Sequence, residues 1–219
     1  MSTANYPHPA VTVDVLVFSL INNELKIALV RRDIEPFKGI WAIPGGFVKE
    51  TETLETAAKR ELKEEAGIKE VFLEQLYTFG DPKRDPRERV ITVAYYALTP
   101  SYKLQLRADT DVSEAKWFGI NKLPELAFDH RVIVNYAIKR LRAKLEYTGI
   151  AHAFLPDEFR LSELQAVYEA VLNKKLDKRN FRKHIETMNI LESTKLFDTE
   201  GAHRPARLYR VRQKTMITL

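Results

Sequence analysis

The sequence predicts an α+β protein in two parts, a mixed sheet with flanking helices followed by a smaller, basic part. Before residue 148, segments rich in β-branched residues alternate with helix-forming segments, whereas strand signals are scarce after residue 149 until the end. From Lys174 onward there are twelve Lys and Arg against five Asp and Glu, a charge of +7, which leaves −2 for the rest. We therefore predict domains at 1–148 and 158–219, joined by a linker at 149–157 that contains Gly149 and Pro156.

Composition limits the class of protein. The chain has 219 residues, 45% of them hydrophobic, which is enough for a sizeable core. It has no cysteine, which excludes disulfides and thiolate metal sites and is compatible with a reducing compartment. No apolar run approaches ~18 residues, and the N-terminus lacks a basic and then apolar signal. We expect a soluble, cytoplasmic protein with no membrane partner.

The first elements form a hairpin and a strand-loop-helix unit. Residues 10–20 are β-branched and apolar, with Thr12 and Asp14 on one side, and a turn at residues 22–23 leads to a second strand. In "WAIPGGFV" a short strand is interrupted at residues 44–46. The following "TLETAAKRELKEEAGI" is rich in helix formers and has Gly67 as a C-cap.

Three more strands and a helix complete the first part. The strand segments are 71–79, 89–98 and 114–120. A helix is predicted over 130–147, because apolar side chains recur there at helical spacing. These are Val134, Ile138, Leu141 and Leu145.

The C-terminal part has the element order of a winged helix. An amphipathic helix is predicted over 160–174 with Ser162 as N-cap, and a second one begins near Asp177 with Phe181, Ile185 and Met188 facing inward. Two strand segments, 193–199 and 206–212, flank a Gly and Pro turn. A helix, a basic helix and a hairpin in this order favour a winged helix-turn-helix.

Three glutamates of the first predicted helix indicate a metal site. Glu61, Glu64 and Glu65 stand at i, i+3 and i+4, so a helix directs all three carboxylates to one side. Like charges at this spacing destabilise a helix by roughly a few tenths of a kcal/mol per pair, which a divalent cation would offset. Mg²⁺ or Mn²⁺ accepts such oxygen ligands, can neutralise a pyrophosphate, and lowers the pKa of a bound water. For the helix alone, a solvated charged surface is the alternative.

The surrounding residues resemble a complete Nudix box. Gly46 is followed six residues later by Glu52 and then by the run "RELKEEAGI" from Arg60, so every fixed position is filled. The resemblance implies an α/β/α sandwich with a mixed sheet and a bound Mg²⁺ or Mn²⁺. It also implies that the carbonyl of Gly46 approaches the metal, that Glu52 assists nearby, and that Arg60 orients the glutamates by ion pairing. The implied catalytic set is Glu52, Arg60, Glu61, Glu64 and Glu65, and the implied metal set is Gly46, Glu61, Glu64 and Glu65.

Candidate substrate contacts lie before and after the box, where guanidinium groups could bind phosphates in a bidentate manner. For any one arginine, an exposed charged loop in which Asp81 and Asp85 pair locally is equally compatible. Arg32 and Arg84 lie among the candidates, Trp41 is more typical of a core, and we favour a structural role for His130. The residues selected as substrate contacts are Arg31, Phe37, Trp41, Arg87 and Arg89.

The basic helix predicts a DNA-binding surface. Arg179, Arg182 and Lys183 would lie in or beside a major groove, and Arg204 and Arg207 would contact phosphates. Base discrimination would require side chains on the recognition helix. A protein-interaction or dimerisation module is the alternative. The candidates for base contact are Lys178, Arg179 and Asn180.

Over nearly its whole length the chain resembles the NrtR-type regulators and their sugar-responsive relatives. The resemblance rests on the Nudix box together with "DPRERV", "LAFDH", "LDKRNFRKHIE" and "RPARLYR". It implies a Nudix domain that senses ADP-ribose or another sugar-derived ligand, and a winged helix that binds operator DNA, usually as a homodimer. Many members have decayed boxes and hydrolyse nothing, whereas this chain keeps every acidic position.

We therefore expect a bifunctional protein, which binds double-stranded DNA and hydrolyses a nucleoside diphosphate-sugar such as ADP-ribose with Mg²⁺. One alternative is a repressor that senses the ligand without significant hydrolysis. Another is a Nudix pyrophosphatase whose winged helix serves dimerisation.

Overall fold

The computed structural model describes residues 8–68, 71–100, 112–198 and 205–212. Its N-terminal part is built on one mixed sheet, as the sequence predicts. The elements are β1 (Ala10–Ile21), β2 (Glu24–Arg32), β3 (Trp41–Ala42), β4 (Gly45–Phe47), α1 (Leu54–Ala66), β5 (Phe72–Phe79), β6 (Val90–Leu98), β7 (Val112–Gly119) and α2 (His130–Leu145).

The sheet is mixed because β1 pairs in parallel with β6 while the other pairings are antiparallel. The strand order is β3-β2-β1-β6-β5, with β4 on β1 and β7 on β2. The β1–β2 turn places Asn22 and Asn23 at φ of 55° and 60°, as a type I′ turn requires, which confirms the predicted hairpin.

Helices cover both faces of the sheet. Alternate side chains of β1 point to opposite faces, so Val13 and Val15 pack in the cluster of α1 whereas Leu16 and Phe18 pack in that of α2. Helix α1 ends at Gly67, whose φ of 69° confirms the predicted C-cap. The arrangement is the α/β/α sandwich expected from the box.

The C-terminal part is a winged helix. It contains α3 (Leu161–Leu172), α4 (Lys178–Met188) and a sheet of β8 (Phe159–Arg160), β10 (Ala206–Val211) and β9 (Leu191–Asp198) in that order. The Asp177 side chain accepts a hydrogen bond from the Asn180 amide, 2.8 Å, which confirms this N-cap. The predicted cap Ser162 is wrong, because α3 begins at Leu161 and its N-cap is Arg160, which forms a capping box with Glu163.

The segment predicted as a loop between the two parts is folded against both of them. Residues Ile150–Phe154 form a 3-10 helix with Ile150 and Phe154 buried in the same hydrophobic cluster as β1, α2 and α3. The Arg142 Nε donates to the Val171 carbonyl at 2.9 Å, and the Tyr168 hydroxyl donates to the Leu145 carbonyl at 3.2 Å. The two parts therefore share a core, while the predicted boundaries at 148 and 158 stay predictions. In the described part of the chain, no helix has the length and apolarity needed to cross a membrane.

Candidate functional site

A cavity of about 250 Å³ opens between strands β1 to β4, helix α1, the loop after β5 and the start of α2. Its walls are polar on the side of α1 and partly aromatic at the mouth. Residues from every one of these elements contribute to it. Among those that line it are Asp14, Arg32, Gly46, Glu61, Arg87 and Phe128.

Two glycines let α1 approach the sheet. A Cβ atom on Gly46 would stand 2.3 Å from the Glu61 Oε1, and one on Gly45 would stand 2.2 Å from the Val13 carbonyl oxygen. Real Cβ atoms do not approach so closely. At position 45 the clash is with backbone, so only glycine fits there, whereas a side chain at position 46 would displace the Glu61 carboxylate. The Glu61 carboxylate is thereby held directly against the backbone of β4.

Arg60 forms ion pairs with three acidic side chains of the box. Its guanidinium contacts Glu52 and Glu61 at 2.6 Å each and Glu64 at 3.1 Å, and it also donates to the Phe47 carbonyl. The hydrogen bond from Arg60 lowers the pKa of Glu52 to about 2. These contacts are the ion pairs that the Nudix resemblance implies for Arg60.

Burial changes the pKa values of two glutamates that line the cavity, Glu61 and Glu65. It raises the pKa of Glu61, against the hydrogen bond and charge of Arg60. It also raises the pKa of Glu65 to about 8, although the Gly45 amide donates a hydrogen bond to this carboxylate at 2.9 Å. Both ionised carboxylates are therefore costly in this cavity unless a further cation lies close to them.

The carboxylate groups that line the cavity are of the chemical type that binds a hard divalent cation. Carboxylate oxygens are ligands that such ions prefer, and the space beside Glu61 exists only because residue 46 has no side chain. As oriented here, Glu61 and Glu64 face Arg60, and Glu65 faces the Gly45 amide. Within the described ranges no three acidic, histidine or cysteine side chains converge on one ion position. The metal assignment stays a prediction.

A buried arginine anchors the loop between β5 and β6. Arg84 donates to both carboxylate oxygens of Asp129, at 3.1 and 2.9 Å, and to Asp14 at 3.3 Å. Arg84 and Asp85 are 7% and 6% exposed, so the alternative of a wholly exposed loop is wrong for them. Local pairing does occur, since Asp85 accepts three hydrogen bonds from Arg87. Burial alone would raise the pKa of Asp85, but these bonds and the charges of Arg87 and Arg84 together outweigh it, so the pKa of Asp85 is lowered.

His130, the first residue of α2, forms part of the cavity floor. The Ile43 amide donates to its Nδ1 at 2.9 Å, which leaves the proton on Nε2, 3.5 Å from the Asp14 carboxylate. Burial lowers the pKa of His130 despite the neighbouring Asp14. A neutral ring that joins β1 to α2 fits the structural role favoured for this residue.

Two aromatic rings and two guanidinium groups lie together at one side of the cavity. The Cζ of Arg32 lies 4.9 Å from the ring centre of Phe128, and that of Arg87 lies 5.8 Å from it and 5.4 Å from Phe47. Burial, followed by the charge of Arg87, lowers the pKa of Arg32. Two cations held close together favour a polyanionic ligand between them.

The recognition helix is basic on its exposed face. In α4 the side chains of Phe181 and Ile185 are buried, as predicted. Arg207 lies on β10 with its guanidinium 5.6 Å from the ring of Phe197. Arg204 lies outside the described residues. The predicted DNA contacts of α4 are all exposed, namely Lys178, Arg179, Asn180, Arg182 and Lys183.

Comparison with known proteins identifies the family. The NUDIX domain model matches residues 10–137, and the model of the NrtR DNA-binding winged helix domain matches residues 151–211. The ADPR responsive transcriptional repressor NtrR of Acinetobacter baylyi is 36% identical over 211 residues, 94% of this chain and 84% of that protein. The chain belongs to the NrtR family of Nudix-domain proteins.

Other relatives match either the whole NrtR chain or its Nudix domain. NrtR of Shewanella oneidensis complexed with a 27mer DNA has a TM-score of 0.80 and 37% identity, covering 92% of this chain and 93% of that one. The NUDIX domain of the same protein complexed with ADP ribose has a TM-score of 0.58 and 36% identity, covering 64% and 94%. An ADP-ribose pyrophosphatase of Methanocaldococcus jannaschii is 43% identical over 129 residues, 59% of this chain and 73% of that protein.

The predicted substrate contacts of this NrtR-family chain are only partly brought together. Arg87 lines the cavity, whereas Arg31 and Arg89 donate to the Gly39 and Gly80 carbonyls. Trp41 is partly buried and packs edge-on against Phe118, and Phe37 packs edge-on against Phe128 without lining the cavity. The placement of these four residues does not support direct contact with a ligand in the cavity, and their role stays a prediction.

Several residues of the cavity are not among the contacts selected from the sequence, and Arg32, Asp14 and Phe128 are examples. Arg32 is adjacent to Arg31, and the sequence favours Arg31 as the contact, although it is Arg32 that lines the cavity. Asp14 carries a usable signal, since it is an acidic residue inside an apolar strand. Phe128 carries none, because its φ of 52° and its position between two arginines depend on the tertiary fold.

Proposed function

We propose that this protein is an ADP-ribose-responsive transcriptional repressor, in which the Nudix cavity binds ADP-ribose and the winged helix of a homodimer binds operator DNA. The observation that supports it most is the relation over both domains to a repressor described as ADPR responsive and to an NrtR crystallised with DNA. The geometry of both sites in this chain agrees with these two ligands.

The cavity offers groups for each part of ADP-ribose. Arg32 and Arg87 present guanidinium groups that suit the diphosphate, and Phe47 and Phe128 add apolar ring surface to the lining that suits a planar base. The cavity is formed in part by Phe128 and His130, at the start of α2, and the other end of α2 contacts α3. Ligand binding can therefore act on the winged helix through one rigid element.

A second candidate function, hydrolysis of ADP-ribose to AMP and a sugar phosphate, is favoured by the complete box. Nudix hydrolases generally use divalent metal ions. Glu61, Glu64 and Glu65 would hold Mg²⁺, which would neutralise the diphosphate and lower the pKa of a bound water. Arg60 orients Glu61 and Glu64 and keeps Glu52 ionised.

DNA binding is tested by a gel shift with the DNA upstream of the protein's own operon, over a series of salt concentrations. We expect binding that weakens with salt, because cations on α4 and β10 displace counterions from phosphates. ADP-ribose should release the DNA. An absence of any shift at low salt would contradict the repressor assignment.

Hydrolysis is tested by AMP release from ADP-ribose and Mg²⁺, comparing the wild type with Glu64→Gln. We expect the variant to lose nearly all activity, because it removes one charged ligand but keeps the shape of the side chain. Equal release from both proteins would refute the metal-site assignment. No release from the wild type would favour the alternative of a repressor that only senses its ligand.

A further inference from the structure

The exposed face of the recognition helix contains one anion among four cations. Helix α4 has Lys178, Arg179, Arg182 and Lys183, and its sole acidic residue is Glu186. Phe181 and Ile185 are buried, and Glu186 stands one position past Ile185 and one turn after Arg182, on the solvent side. Glu186 therefore belongs to the surface that DNA would meet.

Two general effects oppose a carboxylate at this place. Glu186 is in the last turn of α4, where the partial negative charge of the helix C-terminus disfavours an anion. The same face would approach the phosphates of DNA, which repel it as well. A carboxylate here weakens non-specific DNA binding unless it makes a contact that offsets both effects.

The structure contains such a contact. The Arg182 Nε donates a hydrogen bond to Glu186 Oε1 at 3.0 Å. In the part of the chain that the structure describes, the two terminal nitrogens of Arg182 have no hydrogen-bond partner, so this edge of the guanidinium remains available. Two parallel N–H groups on that edge match the O6 and N7 acceptors of guanine in the major groove.

We propose that Glu186 is a positioning residue for base recognition, which holds Arg182 so that its terminal nitrogens contact a guanine of the operator. The inference rests on the proposed DNA binding and adds the base that one side chain recognises. An ordinary exposed pair at i and i+4 would contribute only roughly a few tenths of a kcal/mol to the helix and nothing to sequence preference.

The two possibilities predict opposite changes in the affinity for the operator when the Glu186 carboxylate is removed. If Glu186 and Arg182 are a solvated surface pair, removal of the carboxylate strengthens binding to every DNA sequence, since only a repulsive charge is lost. If Glu186 positions Arg182, its removal strengthens binding to random DNA but weakens binding to the operator. The ratio of the two affinities separates these cases at one salt concentration.

The experiment uses the full-length protein and two duplexes, one selected by the wild type from a pool of random sequences and one with the same composition in shuffled order. Affinities are measured for the wild type, Glu186→Ala, Glu186→Gln and Arg182→Lys. Glu192→Ala is the matched control, because Glu192 pairs with Arg210 across the wing sheet and carries the same charge. Circular dichroism verifies that each variant is folded.

We expect Glu186→Ala to lower the ratio of the affinities for the selected and the shuffled duplex by about tenfold. When each base pair of the selected duplex is replaced in turn, the loss should be confined to one G·C pair. Arg182→Lys should lose the same preference, because lysine keeps the charge but has no planar fork. Glu186→Gln should retain most of it, since its carbonyl oxygen can still accept from the Arg182 Nε. Glu192→Ala should leave the preference unchanged.

A parallel gain of affinity for both duplexes in Glu186→Ala would overturn the proposal, and so would an unchanged base preference in Arg182→Lys. Failure of the wild type to bind either duplex at low salt would instead overturn the proposed DNA binding itself. Failure of the proposal and failure of the proposed function therefore give different results.

Discussion

At the scale of single residues, the position of Glu61 depends on the missing side chain of Gly46. Gly46→Ala would place a methyl group 2.3 Å from the Glu61 Oε1, so the carboxylate must move. We expect Mg²⁺-dependent AMP release to fall by about a hundredfold, since a displacement of 1 Å near the reacting groups has effects of this size. Binding of Mn²⁺, followed by electron paramagnetic resonance, should weaken in the same variant.

Gly80→Ala is the control for this substitution. A methyl group there would meet its nearest atoms, on Ile91 and Arg89, at 3.7 and 3.8 Å, which is ordinary contact. We expect normal AMP release and Mn²⁺ binding. Equal activity in Gly46→Ala and the wild type would show that the position of Glu61 does not matter for the reaction.

The same residues explain what the sequence could predict of the site. Glu61, Glu64 and Glu65 are spaced by one helical turn, so their common side follows from local geometry alone. The partners Asp14 and Arg84 are 70 positions apart and meet only when the loop folds over the sheet. Local patterns contain no information on such a contact, so the floor of the cavity was not predicted.

At the scale of elements, the loop between β5 and β6 is held in place by Arg84. Arg84→Met removes the guanidinium that forms ion pairs with Asp14 and Asp129, so both carboxylates lose this cation. Because these groups are largely buried, we expect the free energy of unfolding to fall by about 3–5 kcal/mol, measured by urea denaturation. ADP-ribose affinity should fall as well, since Arg87 belongs to the same loop.

Arg89→Met provides the comparison within that loop. Arg89 is exposed and donates to one carbonyl, that of Gly80, so its loss should change the free energy of unfolding by no more than about 0.5 kcal/mol. Similar losses of stability in the two variants would mean that the Arg84 network does not anchor the loop.

The elements themselves were largely predictable, because each has a strong local signal. The Asn22-Asn23 turn, the Gly67 cap and the Asp177 cap all function as their residue types favour. In the segment 149–157, Gly149 and Pro156 indicate a loop, whereas residues Ile150–Phe154 form a 3-10 helix. Burial of Ile150 and Phe154 between the two parts depends on surfaces that are distant in sequence.

At the scale of the whole molecule, the two parts are joined through one hydrophobic cluster. It extends from Leu16 and Phe18 of β1 through Ile138 of α2 to Val167 of α3 and Ile185 of α4. Movement of α3 and α4 relative to the Nudix sheet would therefore disturb packed side chains rather than a flexible linker. This continuity is what a repressor needs if a ligand in the cavity is to alter the DNA-binding surface.

The shared cluster predicts that the two parts unfold together. Both tryptophans, Trp41 and Trp117, lie in the Nudix part, so their fluorescence reports on that part alone. Ile185→Ala removes a buried side chain of α4 and should lower the free energy of unfolding by about 2–5 kcal/mol. If the parts are coupled, the urea midpoint of the tryptophan fluorescence shifts together with that of the far-ultraviolet circular dichroism.

Leu196→Ala is the matched control in the winged helix, because Leu196 is 54% exposed on β9 and its loss should leave both midpoints in place. An unchanged fluorescence midpoint in Ile185→Ala, with a shifted dichroism signal, would show that the two parts unfold independently. In that case the contacts of α2 with α3 would be too weak to transmit ligand binding, and a ligand could act on DNA only by changing how two copies of the Nudix part associate. The expected joint shift instead makes α2 the mechanical link, since its first turn touches the cavity and its last turn accepts the Tyr168 hydroxyl.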